Sequence, residues 1–158
     1  MRTLFTTALL LALVSSASAG SKFDMTGETN AKSSSVSHQT SDGRIIIALS
    51  ARHMALNMSK ADHPLAGMPG ECTGHMIQEP PAATGGAICV YTNDAGDKAF
   101  VRVKVEGLTP EKGTKGTWVG LGGTGRFAGM SGSGGYVNTA IAEDGTYKTN
   151  ITGTMQLP

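Results

Sequence analysis

The segment that decides the fold is KAFVRVKVE, residues 98–106. Every second residue from Ala99 to Val105 is apolar, and the residues between them are charged except for Phe100. Successive side chains of a β-strand point to opposite faces, so this period of two predicts a half-buried strand. The last segment, residues 146–157, repeats the period with a single charged residue. The two segments together favour an antiparallel all-β domain.

Glycine-containing turns separate the strand-like segments. Three of them, Asp42-Gly43, Asp94–Asp97 and Asp144-Gly145, suit hairpins, because glycine supplies the positive φ that tight turns require. The alternating segments lie near residues 23–30, 33–40, 44–52, 72–78, 87–93, 98–106, 115–122, 131–142 and 146–156. Eight or nine strands are enough to form a small closed barrel.

Two other segments interrupt the pattern, and a third is ambiguous. Residues 60–70 and 79–86 are rich in proline and glycine and therefore predict loops, either as lids or as plain connections. Residues 45–60 are ambiguous, since their alanines favour a helix. Three consecutive isoleucines, Ile45 to Ile47, are stiff in a helix and favour a strand for the first half.

The first 19 residues predict a secretory signal peptide. Arg2 provides a positive charge, an almost uninterrupted apolar run reaches Val14, and small residues lead up to Ala19. The apolar run is too short to cross a bilayer. We therefore expect cleavage after Ala19, a secreted or periplasmic protein, and a single β-barrel domain over residues 20–158.

The charge balance argues against a nucleic-acid partner. Without Arg2, 12 basic residues balance 12 acidic ones, and no basic cluster stands out. Nucleic-acid binders gain most of their non-specific affinity by neutralising phosphates with lysine and arginine. We expect no nucleic-acid partner and no membrane span, and self-association into a homo-oligomer stays open.

The two cysteines, Cys72 and Cys89, both lie in the part of the chain expected to be exported. Exported proteins meet an oxidising environment, so the pair predicts a disulfide, which we expect to link two neighbouring strands. A redox-active pair would need C-x-x-C spacing, which these residues lack.

Residues 120–135 hold eight glycines. Gly120, Gly122 and Gly125 satisfy the G-x-G-x-x-G pattern of dinucleotide-binding proteins, but that pattern works through a long helix that follows it. The later glycines would break such a helix. We instead expect a tight turn or a single helical turn between two strands, with Phe127 in the core.

This segment resembles a known family. The sequence TWVGLGGTGRFAG at 117–129, followed by SGSG at 131–134, is similar to the G-G-T-G-x-F/Y-x-G-x-x-G element of the allene oxide cyclase and dirigent-type barrel superfamily and its small secreted bacterial members. The likeness is carried by Gly122, Gly123, Thr124, Gly125, Phe127 and Gly129. It implies an all-β, calycin-like or allene oxide cyclase-like fold, a small antiparallel eight-stranded closed barrel, here with one disulfide. In the plant members, the barrel cavity binds apolar small molecules and steers a cyclisation or coupling reaction.

The resemblance carries over no catalytic residue, because the polar pocket residues of the plant families have no matching positions here. Barrel interiors usually place a few polar groups among apolar ones. Five residues are candidates for ligand binding at such a cavity: Glu71, His75, Tyr91, Arg126 and Tyr136. For each of them a solvated position at the rim is the alternative. The sequence contains no defensible Ser-His-Asp or Cys-His arrangement.

These observations favour a protein that binds a small apolar molecule in a barrel cavity, without a cofactor. A cofactor-independent cyclase or isomerase is one alternative, and it would need an ionisable group inside the cavity. A periplasmic copper-binding protein is another, because soft thioether ligands and imidazoles suit copper(I). That site would require four methionines to converge: Met54, Met58, Met68 and Met76. The four histidines show no zinc-binding spacing, so we expect no metal site.

Overall fold

The computed structural model describes residues 20–158, and the signal peptide predicted for residues 1–19 lies outside the described residues. The described chain is all-β, as the alternation predicts, and one short 3₁₀-helix interrupts it. Its strands are β1 (Ser21–Asp24), β2 (Gly27–Gln39), β3 (Ile45–His53), β4 (Asn57–Met58), β5 (Gly70–Glu79), β6 (Ala82–Thr92), β7 (Lys98–Leu108), β8 (Thr114–Gly123), β9 (Ser131–Asn138) and β10 (Thr146–Leu157).

Eight of these strands form a ring, which we call the strand ring. Its order is β2-β3-β5-β6-β7-β8-β9-β10, and β10 pairs with β2 to complete it. All of these pairings are antiparallel. The short strand β1 continues the line of β2 along β10, and β4 adds two residues to the other side of β2. Each ring strand therefore has a hydrogen-bonded neighbour on both sides.

The predicted hairpin turns are confirmed. Gly43, Gly96 and Gly145 each adopt a φ near +85° and connect β2 to β3, β6 to β7 and β9 to β10. The segments predicted at 23–30 and 33–40 are arranged differently, because β2 runs without a break across their boundary.

The predicted loop over residues 79–86 is wrong. Strand β5 continues to Glu79 and β6 begins at Ala82, so only two prolines connect them. Gly85 and Gly86 lie inside β6, where a Cβ on Gly86 would come within 2.6 Å of the Val103 carbonyl oxygen. The glycines thus let three neighbouring strands approach closely within continuous strand pairing, and they do not form a loop.

The ambiguity over residues 45–60 is resolved in favour of a strand for the first half. Burial along β3 alternates, with Ala51 and His53 buried while Ile46 is 46% exposed. A helix would have placed Ile46 and His53 on the same face. After His53 the chain forms the two-residue strand β4 and a series of turns up to Pro69.

The predicted disulfide is confirmed. Cys72 on β5 and Cys89 on β6 lie directly opposite each other, their Cα atoms are 4.0 Å apart, and the two sulfur atoms are bonded. Both cysteines are buried in the core. The bridge therefore links neighbouring strands.

The glycine-rich segment makes a single turn of 3₁₀-helix, Gly125–Phe127, between β8 and β9. Phe127 is completely buried, as the sequence predicts. The glycines of β9 and β10 also make room for Trp118, since a Cβ on Gly134 would come within 2.7 Å of the indole Nε1. That indole is buried and donates a hydrogen bond of 3.0 Å to the Thr152 carbonyl oxygen.

The two ends of the strand ring differ. One end is filled by buried side chains from β10, the 3₁₀-turn and the chain between β3 and β5: Leu56, Leu65, Met68, Phe127, Met130 and Met155. The other end, which we call the open end, is formed by hairpin turns with exposed residues such as Lys112 and Ile141. In the described part of the chain, no helix is long and apolar enough to cross a membrane.

Candidate functional site

The strand ring encloses a cavity of about 410 Å³, which we call the central cavity. Every strand of the ring contributes to its wall. The inward face of β7 supplies Val101, Val103 and Val105, the face that the period of two predicts. The volume falls within the range of roughly 300–1,000 Å³ that is typical of small-molecule sites.

The wall of the central cavity is mainly apolar. Apart from the β7 valines, its aliphatic residues include Ile47, Leu49, Met76, Leu108 and Ile151. Among the described residues that line it, Lys112 is the only one with a formally charged side chain at neutral pH, and it is exposed at the open end. The interior itself therefore presents an uncharged surface.

A buried histidine lies at the inner end of the cavity, which we call the floor. His53 ends strand β3, and its Nδ1 lies 2.8 Å from the hydroxyl oxygen of Tyr91 on β6. Its Nε2 lies 3.3 Å from the hydroxyl oxygen of Tyr147 on β10. We call these three residues the floor cluster. All three line the central cavity.

The floor cluster is electrically neutral. Burial lowers the pKa of His53 to about 4, because the charged imidazolium would lose its hydration. Burial also raises the pKa of the Tyr147 hydroxyl to about 12 and raises the pKa of Tyr91. At pH 7 the cluster therefore offers hydrogen bonds without a net charge.

Several other polar groups of the wall are paired with one another. The Thr149 hydroxyl donates to Asn138 Oδ1 at 2.8 Å, and Asn138 Nδ2 donates to the Thr114 hydroxyl at 3.0 Å. Buried polar groups that are paired in this way hold the wall in place. The floor cluster differs from them because it links three side chains from three strands around a buried imidazole.

The five ligand-binding candidates from the sequence lie in different places. Tyr91 and Tyr136 both line the central cavity and are buried. His75 borders the cavity and also an outer groove of about 580 Å³, and it is exposed. Glu71 is exposed and does not line the cavity. Arg126 lies on the 3₁₀-turn, outside the cavity lining, and its Nη2 donates to the Pro64 carbonyl oxygen at 3.1 Å.

His53 and Tyr147 were not among the candidates, although the sequence contains a signal for both. His53 has the same parity as Ile47, Leu49 and Ala51 in β3 and therefore shares their inward face. Tyr147 stands in the same relation to Ile151 in β10. Parity would have placed both side chains inside the strand ring.

The methionines proposed for copper are dispersed. Met76 lines the central cavity, whereas Met68 packs in the filled end and Met54 is 48% exposed. Met68 precedes the start of β5 at Gly70 by two residues, and Met76 lies six residues after that start. Six residues correspond to roughly 20 Å of strand, so these two methionines do not meet. Within residues 20–158, no group of three or more His, Cys, Asp or Glu side chains is arranged to hold a metal ion.

Comparison of the chain with protein-family models finds no match, and comparison with curated proteins finds no match either.

Proposed function

We infer that this protein is an exported, disulfide-linked β-barrel that binds one small, largely apolar molecule in its central cavity. The observation that carries the proposal is the cavity itself, about 410 Å³ of space with aliphatic walls inside a ring of eight strands. Water in such a space finds few hydrogen-bond partners. Each CH₂ group that a ligand buries there contributes about 0.8 kcal/mol.

The proposed compartment is supported by the disulfide. The Cys72–Cys89 bridge closes within the core, and disulfides of this structural kind persist in oxidising compartments. The predicted signal peptide points to the same compartment. Secretion or export to a periplasm is therefore part of the proposal.

The proposed fold relationship is with the calycin-like barrels of the allene oxide cyclase and dirigent type. Two features support it beyond the sequence resemblance. Eight antiparallel strands form a ring, and the glycine motif forms the turn between β8 and β9 that buries Phe127. The proposed ligand class follows the same comparison, since the plant members hold apolar molecules in their cavity.

A thermal-shift screen with a library of lipids and terpenoids tests the proposal. Ligands that raise the melting temperature of the wild-type protein should lose this effect in Val103→Phe, which fills the cavity. Val137→Phe is the matched control, because Val137 is 46% exposed on β9 and does not line the cavity. The proposal fails if no library member stabilises the wild type, or if Val103→Phe binds as well as Val137→Phe.

Catalysis by a cofactor-independent cyclase or isomerase is the second candidate, and His53 is the observation that favours it. Such an enzyme needs an ionisable group in its cavity, and His53 is a buried one with a strongly shifted pKa. Glu71 and His75 are exposed and less suited to this role. Incubation with the stabilising library members, followed by mass spectrometry and chromatography, would reveal an isomer that the His53→Gln variant does not form.

A further inference from the structure

The protons of the floor cluster can be assigned from its geometry. A neutral imidazole has one nitrogen that donates and one that accepts a hydrogen bond. His53 has a tyrosine hydroxyl within hydrogen-bond distance of each nitrogen, Tyr91 at Nδ1 and Tyr147 at Nε2. Two arrangements are therefore possible, and they differ in which tyrosine donates to the imidazole.

Burial selects between them. Tyr91 is buried, and among the described residues its hydroxyl has no hydrogen-bond partner except His53. If Nδ1 donated to Tyr91, the hydrogen of the Tyr91 hydroxyl would be buried without an acceptor, which is costly. The favoured arrangement therefore has Tyr91 donating to Nδ1, and Nε2–H donating to the hydroxyl oxygen of Tyr147, with the disulfide-bonded Cys72 Sγ as a weaker second acceptor at 3.8 Å.

This arrangement leaves one hydrogen without a protein acceptor, that of the Tyr147 hydroxyl. Tyr147 lines the central cavity and is only half-buried, and within residues 20–158 its hydroxyl is hydrogen-bonded to His53 alone. A hydroxyl that accepts a hydrogen bond becomes a better donor, since linked hydrogen bonds polarise one another. The floor of this mainly apolar cavity thus carries a polarised donor.

We propose that the Tyr147 hydroxyl, supported by His53, is a binding site for a neutral oxygen acceptor on the ligand, such as the oxygen of a ketone, aldehyde, ester or epoxide. The inference rests on the proposed function and specifies the ligand class. It also gives the ligand an orientation, with the polar oxygen at the floor and the apolar part toward the open end.

The charge of the site separates this class from fatty acids. A carboxylate at the floor would be buried without a cation, because the floor cluster is neutral and Lys112 lies at the open end. A ligand with a carboxylate would therefore direct that group toward Lys112 and place its apolar tail at the floor.

Three probes with the same number of non-hydrogen atoms test the inference: octane, heptan-2-one and hexanoate. Binding is measured through Trp118, the single tryptophan, which lines the central cavity. Tyr147→Phe should weaken heptan-2-one binding between about 2-fold and 10-fold, the range expected for one neutral hydrogen bond, and should leave octane binding unchanged. The infrared carbonyl stretch of the bound ketone should lie at lower frequency in the wild type than in Tyr147→Phe.

The control is Val137→Phe, which changes an exposed side chain of β9 that does not line the cavity. It should leave the preference for the ketone intact, whereas His53→Gln should reduce it as a second test of the same site. Equal binding of heptan-2-one by the wild type and Tyr147→Phe overturns the inference, as does hexanoate that binds the wild type more tightly than heptan-2-one and loses this affinity in Tyr147→Phe. If octane binds normally in those cases, the proposed function survives. If no probe binds, the proposed function fails with it.

Discussion

Acidification should destabilise this protein through His53. Burial lowers the pKa of the folded imidazole from 6.5 to about 4. Between these values the unfolded chain binds a proton that the folded protein does not, so the free energy of unfolding falls as the pH falls. The contribution of the neutral, buried His53 to the free energy of unfolding is fully present above pH 6.5 and is lost by about pH 4. At about 1.36 kcal/mol per pKa unit, the loss is about 3 kcal/mol.

Urea unfolding at pH 7 and pH 4, followed by Trp118 fluorescence, measures this loss. His53→Gln keeps hydrogen-bonding capacity but removes the titration, so its free energy of unfolding should fall by about 3 kcal/mol less than that of the wild type. The carboxylates with lowered pKa values, among them Asp24 and Asp144, are present in both proteins, and their effects cancel in the comparison.

The contribution of His63 to the acid response must be measured in a separate His63 variant. Burial also lowers the pKa of His63, and the nearby Asp24 and Asp62 carboxylates oppose this shift. His75→Gln, which removes an exposed imidazole, controls for the loss of a histidine as such. If His53→Gln loses as much stability on acidification as the wild type, the burial of His53 does not control the acid response and the reasoning is wrong.

Four further variants test the packing of the strand ring by urea unfolding. A Cβ on Gly134 would overlap the backbone of β10 whereas one on Gly135 would make only ordinary contacts, so Gly134→Ala should be destabilising by at least about 2 kcal/mol and Gly135→Ala close to neutral. Equal effects would contradict the close-approach argument. Replacing Cys72 and Cys89 together by alanine should cost about 3 kcal/mol, and an unchanged midpoint would show that the bridge contributes nothing to stability. Phe127→Ala should lower the free energy of unfolding by about 3–5 kcal/mol because the side chain is completely buried. A loss below about 1 kcal/mol would mean that neighbouring side chains close the space left by the ring.

Much of the fold could be predicted because its signals are local. Alternation along residues 98–106 defined an inward face that the structure places on the cavity wall. Glycine at the hairpin turns and the spacing of Cys72 and Cys89 were equally readable, since each depends on neighbouring residues or on one pair of adjacent strands. Gly85 and Gly86 predicted a loop but lie inside β6, because glycine suits both a loop and a close approach between strands, and only the neighbouring strands decide which one applies.

The sequence by itself therefore determined the strand class, the three hairpin turns, the disulfide and the alternating faces of β7 and β10. The tertiary structure alone decided which inward residues meet. His53 is 38 residues from Tyr91 and 94 from Tyr147, and the three come together only because β10 pairs with β2 and completes the strand ring. No local pattern encodes that meeting point, since it depends on how β3, β6 and β10 are placed around a common interior. The same placement explains why Tyr91 reached the cavity while Glu71 and Arg126 did not.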